Sequence, residues 1–147
     1  MPSFQVEGCG ALWTLSLDET SRQLIGNQEG IEVIVAGMME NQVNAGVQEQ
    51  ACGVLSNLAL SPSHHEEILK NISKIVQSME RHQDHKGVQT QGCACLRNMA
   101  VAVRNQAEIV RARGIPVVLR AMAQHYKSSG VQVLISCVLV SSSSRQI

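Results

Sequence analysis

Two groups of side chains have the chemistry to hold a metal. His64-His65 and His82-Gln83-Asp84-His85 offer imidazole and carboxylate, and Cys9, Cys52, Cys93, Cys95 and Cys137 offer thiols. A zinc site needs about four donors roughly 2.0–2.3 Å from one point. The histidines fall at loop-rich helix ends with no third ligand at a defined spacing, so they are expected to be exposed. Cys9, Cys52 and Cys93 take one position each in a repeated pattern. Packed helices lie roughly 8–10 Å apart, too far for their sulfurs to share an ion. They are expected to be core thiols. Cys93 and Cys95 are separated by one residue, whereas redox pairs use two. There is no glycine-rich phosphate loop and no Gly-x-Ser-x-Gly elbow. Asp18-Glu19 reads as a helix cap, since acids suit a helix N-terminus. An enzyme or metal protein would have only His64, His82, His85 and Cys95 to work with. No catalytic residue, metal or cofactor is assigned.

The elements that carry these residues are set by a repeat. Val47-Gln48-Glu49-Gln50-Ala51-Cys52-Gly53-Val54-Leu55-Ser56-Asn57-Leu58-Ala59 returns as Val88-Gln89-Thr90-Gln91-Gly92-Cys93-Ala94-Cys95-Leu96-Arg97-Asn98-Met99-Ala100. Val47, Val88 and Val131 each follow a glycine, at spacings of 41 and 43. Leu12 and Leu96, Gly30 and Gly114, and Met38 and Met122 lie two periods apart. A period of this size belongs to helical repeat arrays.

Helices are expected over 4–17, from Asp18 to near Gly30, and over 31–40 and 45–60. Further helices are expected over 64–71, 73–82, 87–101, 104–113, 117–125 and 131–142. Gly30 is expected as a left-handed cap, the usual place for glycine. The second unit lacks that glycine, so either the turn between its first two helices is tighter or the helices themselves differ. The array divides into an orphan helix 4–17, units at about 18–60, 61–101 and 102–142, and a polar tail 143–147, all one domain over 1–147. Its core should contain Leu12, Leu15, Ile34, Met38, Val47, Ala51, Leu55, Leu58, Ile75, Met79, Val88, Leu96, Met99, Val118, Met122 and Leu134.

Composition narrows the setting. Phe4, Trp13 and Tyr126 are the only aromatics, so the core must be aliphatic with Met and Cys as fillers. No apolar run approaches the roughly 20 residues that span a bilayer. The N-terminus lacks signal-peptide features. Reduced thiols and a cytoplasmic setting, with the nucleus as alternative, are expected. The neutral total hides an asymmetry: net charge is −7 through Asn71 and +7 from Ile72 onward.

These residues resemble the armadillo repeat family. Asn105-Gln106-Ala107-Glu108-Ile109-Val110 is similar to its first helix, and Gly114-Ile115-Pro116-Val117-Val118-Leu119 to its second. Leu55-Ser56-Asn57-Leu58-Ala59 and Leu96-Arg97-Asn98-Met99-Ala100 are similar to the end of its third. The resemblance implies an all-α, right-handed α-solenoid of armadillo-type repeats, with HEAT-like repeats as the alternative. It implies a concave groove that takes an extended peptide or partner protein, without enzymatic activity. Asn57 and Asn98 would hold the peptide backbone, with Gln50, Gly53, Gln91, Ala94 and Thr14 on the same stripe and Arg97 beside it. Nuclear-import adaptors of this family carry Trp four residues before that Asn. Here those positions are Gly10, Gly53 and Ala94, and Trp13 is expected on another face, so basic import cargo is not expected.

The arginines at 97, 104, 111, 113 and 120 are expected first as a solvated basic face. As a binding surface they suit an acidic protein segment better than nucleic acid, because no aromatic lies among them to stack on bases. Self-association is a further expectation. Phe4, Cys9, Leu12 and Leu15 at one end, and Val133, Leu134, Val138 and Leu139 at the other, would meet head to tail with opposite charge.

Overall fold

The computed structural model describes residues 2–27 and 29–127. The helix expected over 131–142, with Leu134 and the second apolar end, lies outside the described residues. Among the described residues the chain is all-helical, with no strand. The helices are α1 (Pro2–Leu15), α2 (Glu19–Asn27), α3 (Gly30–Glu40), α4 (Ala45–Leu58), α5 (His65–Lys70), α6 (Ile72–Arg81), α7 (Lys86–Ala100), α8 (Val103–Arg111) and α9 (Gly114–Gln124). A 3-10 turn, Pro62–His64, precedes α5.

Each boundary has a local cause. Asp18 Oδ2 accepts from Ser21 N at 2.9 Å and from the Ser21 hydroxyl at 3.1 Å, capping α2. These bonds hold the Asp18 carboxyl below its ordinary range. Asn44 Oδ1 accepts from Val47 N at 3.2 Å to start α4. His85 does the same for α7, its Nδ1 accepting from Val88 N at 3.3 Å. Pro62 opens the 3-10 turn, where its missing N–H costs nothing.

The expected left-handed glycine is not there. Glu29 (φ 56°) and Arg113 (φ 66°) carry the left-handed conformation, and Gly30 and Gly114 begin the next helices. The glycines serve close approach instead. A Cβ on Gly30 would collide with the Ile25 carbonyl, and one on Gly114 would stand 2.9 Å from the Ile109 carbonyl. The α5–α6 junction is a tighter turn, one of the two alternatives expected, made by Asn71 alone with φ −109°.

Helix α4 packs against α1 on one side and α7 on the other. Helices α5 and α8 pack together, as do α6 and α9. The core between them is aliphatic with sulfur: Ile34, Met38, Leu55, Leu58, Ile75, Met79 and Met99 are buried. Cys9, Cys52, Cys93 and Cys95 are free and buried. Burial pushes the Cys52 and Cys93 thiols up to about 12, and Cys95 upward too. Such thiols are inert, because the thiolate is the reactive form.

Four expected core positions differ: Leu15 is exposed, and Leu12, Val118 and Met122 are half-buried. Cys9, Leu12 and Trp13 form the packed stripe of α1, continued by Ser16 just past its end, at helical spacing. Leu15 falls off that stripe and is 54% exposed. In α9 the buried stripe is Gly114, Val117 and Ala121, leaving Val118 and Met122 half-buried at its edge.

Candidate functional site

Side chains bridge elements about one period apart. Asn57 Nδ2 donates to Ser16 Oγ at 2.9 Å, and Asn98 Nδ2 to the Ser56 carbonyl at 2.9 Å, across 41 and 42 residues. His82 Nε2 meets the Gln42 carbonyl and His125 Nε2 the Gln83 carbonyl, each at 2.7 Å. A carbonyl only accepts, so both nitrogens carry hydrogen. Ser61 donates to Glu19 at 3.4 Å across 42 residues, and Gln124 to Asp84 across 40.

Two glutamines do the same work inside successive segments. Gln48 Nε2 donates to the Met38 and Asn41 carbonyls at 2.9 and 3.0 Å. Gln89 Nε2 donates to the Met79 and His82 carbonyls, both at 2.9 Å. Both are 1% exposed. Each reaches a carbonyl in the last turn of the preceding helix, Met38 or Met79, and shares a second, Asn41 or His82, that also accepts from the Asn44 or His85 N–H at 3.0 Å.

The histidines expected on the surface are not all there. His64 and His65 are only 3% and 4% exposed. His65 Nε2 donates to the Ala59 carbonyl at 2.7 Å, so its Nδ1 is the acceptor for Asn105 Nδ2 at 3.2 Å. Asn105 also donates to the Met99 carbonyl at 2.9 Å. His64 packs against Gly26, where a Cβ would collide with its ring. Desolvation lowers its pKa. Polar side chains can be buried when backbone carbonyls take their hydrogens, and a helix-to-helix seam supplies those carbonyls. Among the described residues no group of three or more His, Cys, Asp or Glu is placed to hold a metal.

The expected partner-binding stripe is partly covered. Gly53 is buried beneath the Trp13 indole, where a Cβ would collide with the ring. Trp13 thus reaches across from α1 to α4 instead of lying apart. Ala94 is 8% exposed. Thr14 is exposed, its hydroxyl donating to the Gly10 carbonyl at 3.1 Å. Asn57 and Asn98 are half-buried and tied to the neighbouring helix as described. Gln50 and Gln91 are also half-buried, and neither side chain makes a hydrogen bond to a described residue. They stand on α4 and α7, which pack side by side. Arg97 donates from Nε and Nη2 to Asn98 Oδ1 at 3.2 and 3.1 Å.

Sequence reasoning missed Gln48, Gln89 and the His65–Asn105 bond. The glutamines had a signal, their identity across the two copies. The His65–Asn105 pair had only its spacing of 40 residues. A polar depression of about 470 Å³ lies elsewhere, lined by Ala45 and Glu80 to His85. Among the described residues no helix is long and apolar enough to cross a membrane.

No protein-family model matches the chain, and no curated protein matches it.

Proposed function

We propose that the chain is a right-handed α-solenoid of armadillo-type units, working as a non-enzymatic scaffold that takes an extended peptide along α1, α4 and α7. One observation carries this reading. The bonds Asn57–Ser16 and Asn98–Ser56 join α4 to the residue just past α1, and α7 to α4, at nearly the same offset. Equivalent positions therefore fall in rows across the three helices. One row is Glu7, Gln50 and Gln91, and another is Thr14, Asn57 and Asn98. Gln50 and Gln91 each offer a donor and an acceptor to a passing backbone. The asparagines serve first as ties between helices, so the amides of Gln50 and Gln91 hold the peptide.

The test is selection of a displayed random dodecapeptide library on the purified chain. Selected peptides should lose binding to the Gln50→Ala/Gln91→Ala variant and keep it with Glu66→Ala, an exposed change on α5. A library that yields no binder, or binders indifferent to the double change, ends the reading.

A further inference from the structure

From Lys86 onward the chain carries eight Lys and Arg residues and one acid, Glu108. Glu108 is already paired with Arg111. Arg97 is in none of the ion pairs among the described residues, and the sequence beyond them holds no Asp or Glu side chain. Arg97 is nevertheless half-buried and held. Its Nε and Nη2 both donate to Asn98 Oδ1, and Asn98 is tied through Nδ2 to the Ser56 carbonyl of α4. A guanidinium fixed along one edge keeps its Nη1 and remaining Nη2 hydrogens for another acceptor. Nη1 bonds to no described residue.

The repeat does not demand this charge. The matching residue is Ser56 in α4 and Trp13 in α1. Arg97 is the one cation in that row, one residue from Asn98 and six residues, about 1.7 turns, along from Gln91. A half-desolvated guanidinium without a counter-ion gains most from a carboxylate, which forms short charge-assisted bonds with it.

We propose that Arg97 is an anion subsite of the peptide face, taking an Asp or Glu side chain of an acidic extended segment. The inference rests on the groove reading and adds the chemistry of its partner. A protein segment fits better than nucleic acid. Phosphate-binding grooves for single strands pair cations with aromatic stacking platforms. The one aromatic described in the basic half is Tyr126, which lies under Lys127 at 5.6 Å.

The experiment reads the sequences of the dodecapeptide pool selected on the wild-type chain, and on Arg97→Gln, Arg97→Lys and Arg97→Glu. Circular dichroism first confirms that each variant is helical. The wild-type pool should be enriched in Asp or Glu at one fixed position. Arg97→Lys should keep that enrichment, Arg97→Gln should lose it, and Arg97→Glu should replace it with Lys or Arg. A selected acidic peptide should bind Arg97→Gln roughly ten- to hundredfold more weakly, the range of a lost charged hydrogen bond. A pool that depends on Gln50 and Gln91 but shows no acid preference overturns the subsite and spares the groove. An acid preference unchanged in Arg97→Gln does the same. A library with no binders overturns both. A mixed-sequence single-stranded 20-mer that displaces the peptide and itself needs Arg97 shows that the subsite serves nucleic acid, and overturns the protein assignment.

Discussion

Asn98 donates its amide hydrogen to the carbonyl of Ser56 at 2.9 Å, from the end of one long helix to the same place on the helix before it. Its oxygen meanwhile orients Arg97. Asn98→Ala breaks the Ser56 bond and the two Arg97 bonds, which share one half-exposed acceptor and together count as about one more, and a net hydrogen bond is worth about 0.5–1.5 kcal/mol. Urea unfolding should show a loss of about 1–3 kcal/mol. A variant as stable as wild type would mean that α4 and α7 are held by apolar packing alone.

Gln48 and Gln89 should cost a similar amount. Each side chain donates to two carbonyls, of which Asn41 and His82 keep a backbone N–H donor without it. That leaves the Met38 or Met79 carbonyl, and leaving a buried polar group unpaired costs about 1–3 kcal/mol. Gln48→Leu and Gln89→Leu should each destabilise by about 1–3 kcal/mol despite adding apolar surface. Equal losses at the two sites, measured by denaturant midpoint, would show that both segments use the clamp alike.

Acid should weaken the fold in two separate steps. Desolvation lowers the His64 pKa, outweighing the Arg22 backbone bond and the Glu19 charge that favour the proton. Folding thus releases protons from His64 in acid, so stability is full above the unfolded value of about 6.5 and falls as pH drops below it. The loss levels off once pH passes the lowered folded value. The second step lies lower, where Asp18, Glu19 and Glu67, whose folded values are also lowered, take up protons. Thermal unfolding from pH 7.5 to 5 should show the first step in wild type and a smaller one in His64→Gln. An unchanged step would assign it to another histidine.

The glycine pairs make opposite predictions for adjacent residues. Gly30→Ala drives a methyl into the Ile25 carbonyl and should cost about 1–3 kcal/mol. Glu29→Gly relieves left-handed strain of about 1–2 kcal/mol. Added freedom of the unfolded chain takes back about 0.5–1 kcal/mol. Glu29→Gly should therefore be neutral or stabilising by up to about 1.5 kcal/mol, read from the melting midpoint.

Trp13, the chain's only tryptophan, reports on its own contact with α4. Gly53→Val should push the indole off α4 and into water. Its fluorescence maximum should move to longer wavelength while the far-ultraviolet dichroism stays helical. No shift would place the displaced ring in another apolar site.

The long helices α4 and α7 were legible in the sequence because their apolar residues recur at helical spacing and their motif is nearly duplicated. That the junction at Asn71 departs from the others was legible from the missing glycine. Glu29 and Arg113 were not, because each is a residue type that seldom adopts positive φ and here does so beside a glycine that seemed the better candidate. His65 was misread because a histidine bonded to a carbonyl inside a seam looks the same in one dimension as one in water. Asn57, Asn98, Gln50 and Gln91 were all visible as repeated amides. Their division into ties and unbonded side chains was not, since both sit at regular spacing and only packing decides which meets a neighbour.

Each tie reaches back by a single period, with Gln48 and Gln89 meeting matched carbonyls in their own segments. Excising residues 44–84, a 41-residue piece, would bring His85 to the place of Asn44, another side-chain acceptor for the same helix start. Gln89 would then find the carbonyls of Met38 and Asn41 where it had met Met79 and His82. Asn98 would find Ser16 where it had found Ser56. The joints are interchangeable parts, and an in-frame duplication or loss of one unit would pass through heredity with its hydrogen bonds already matched.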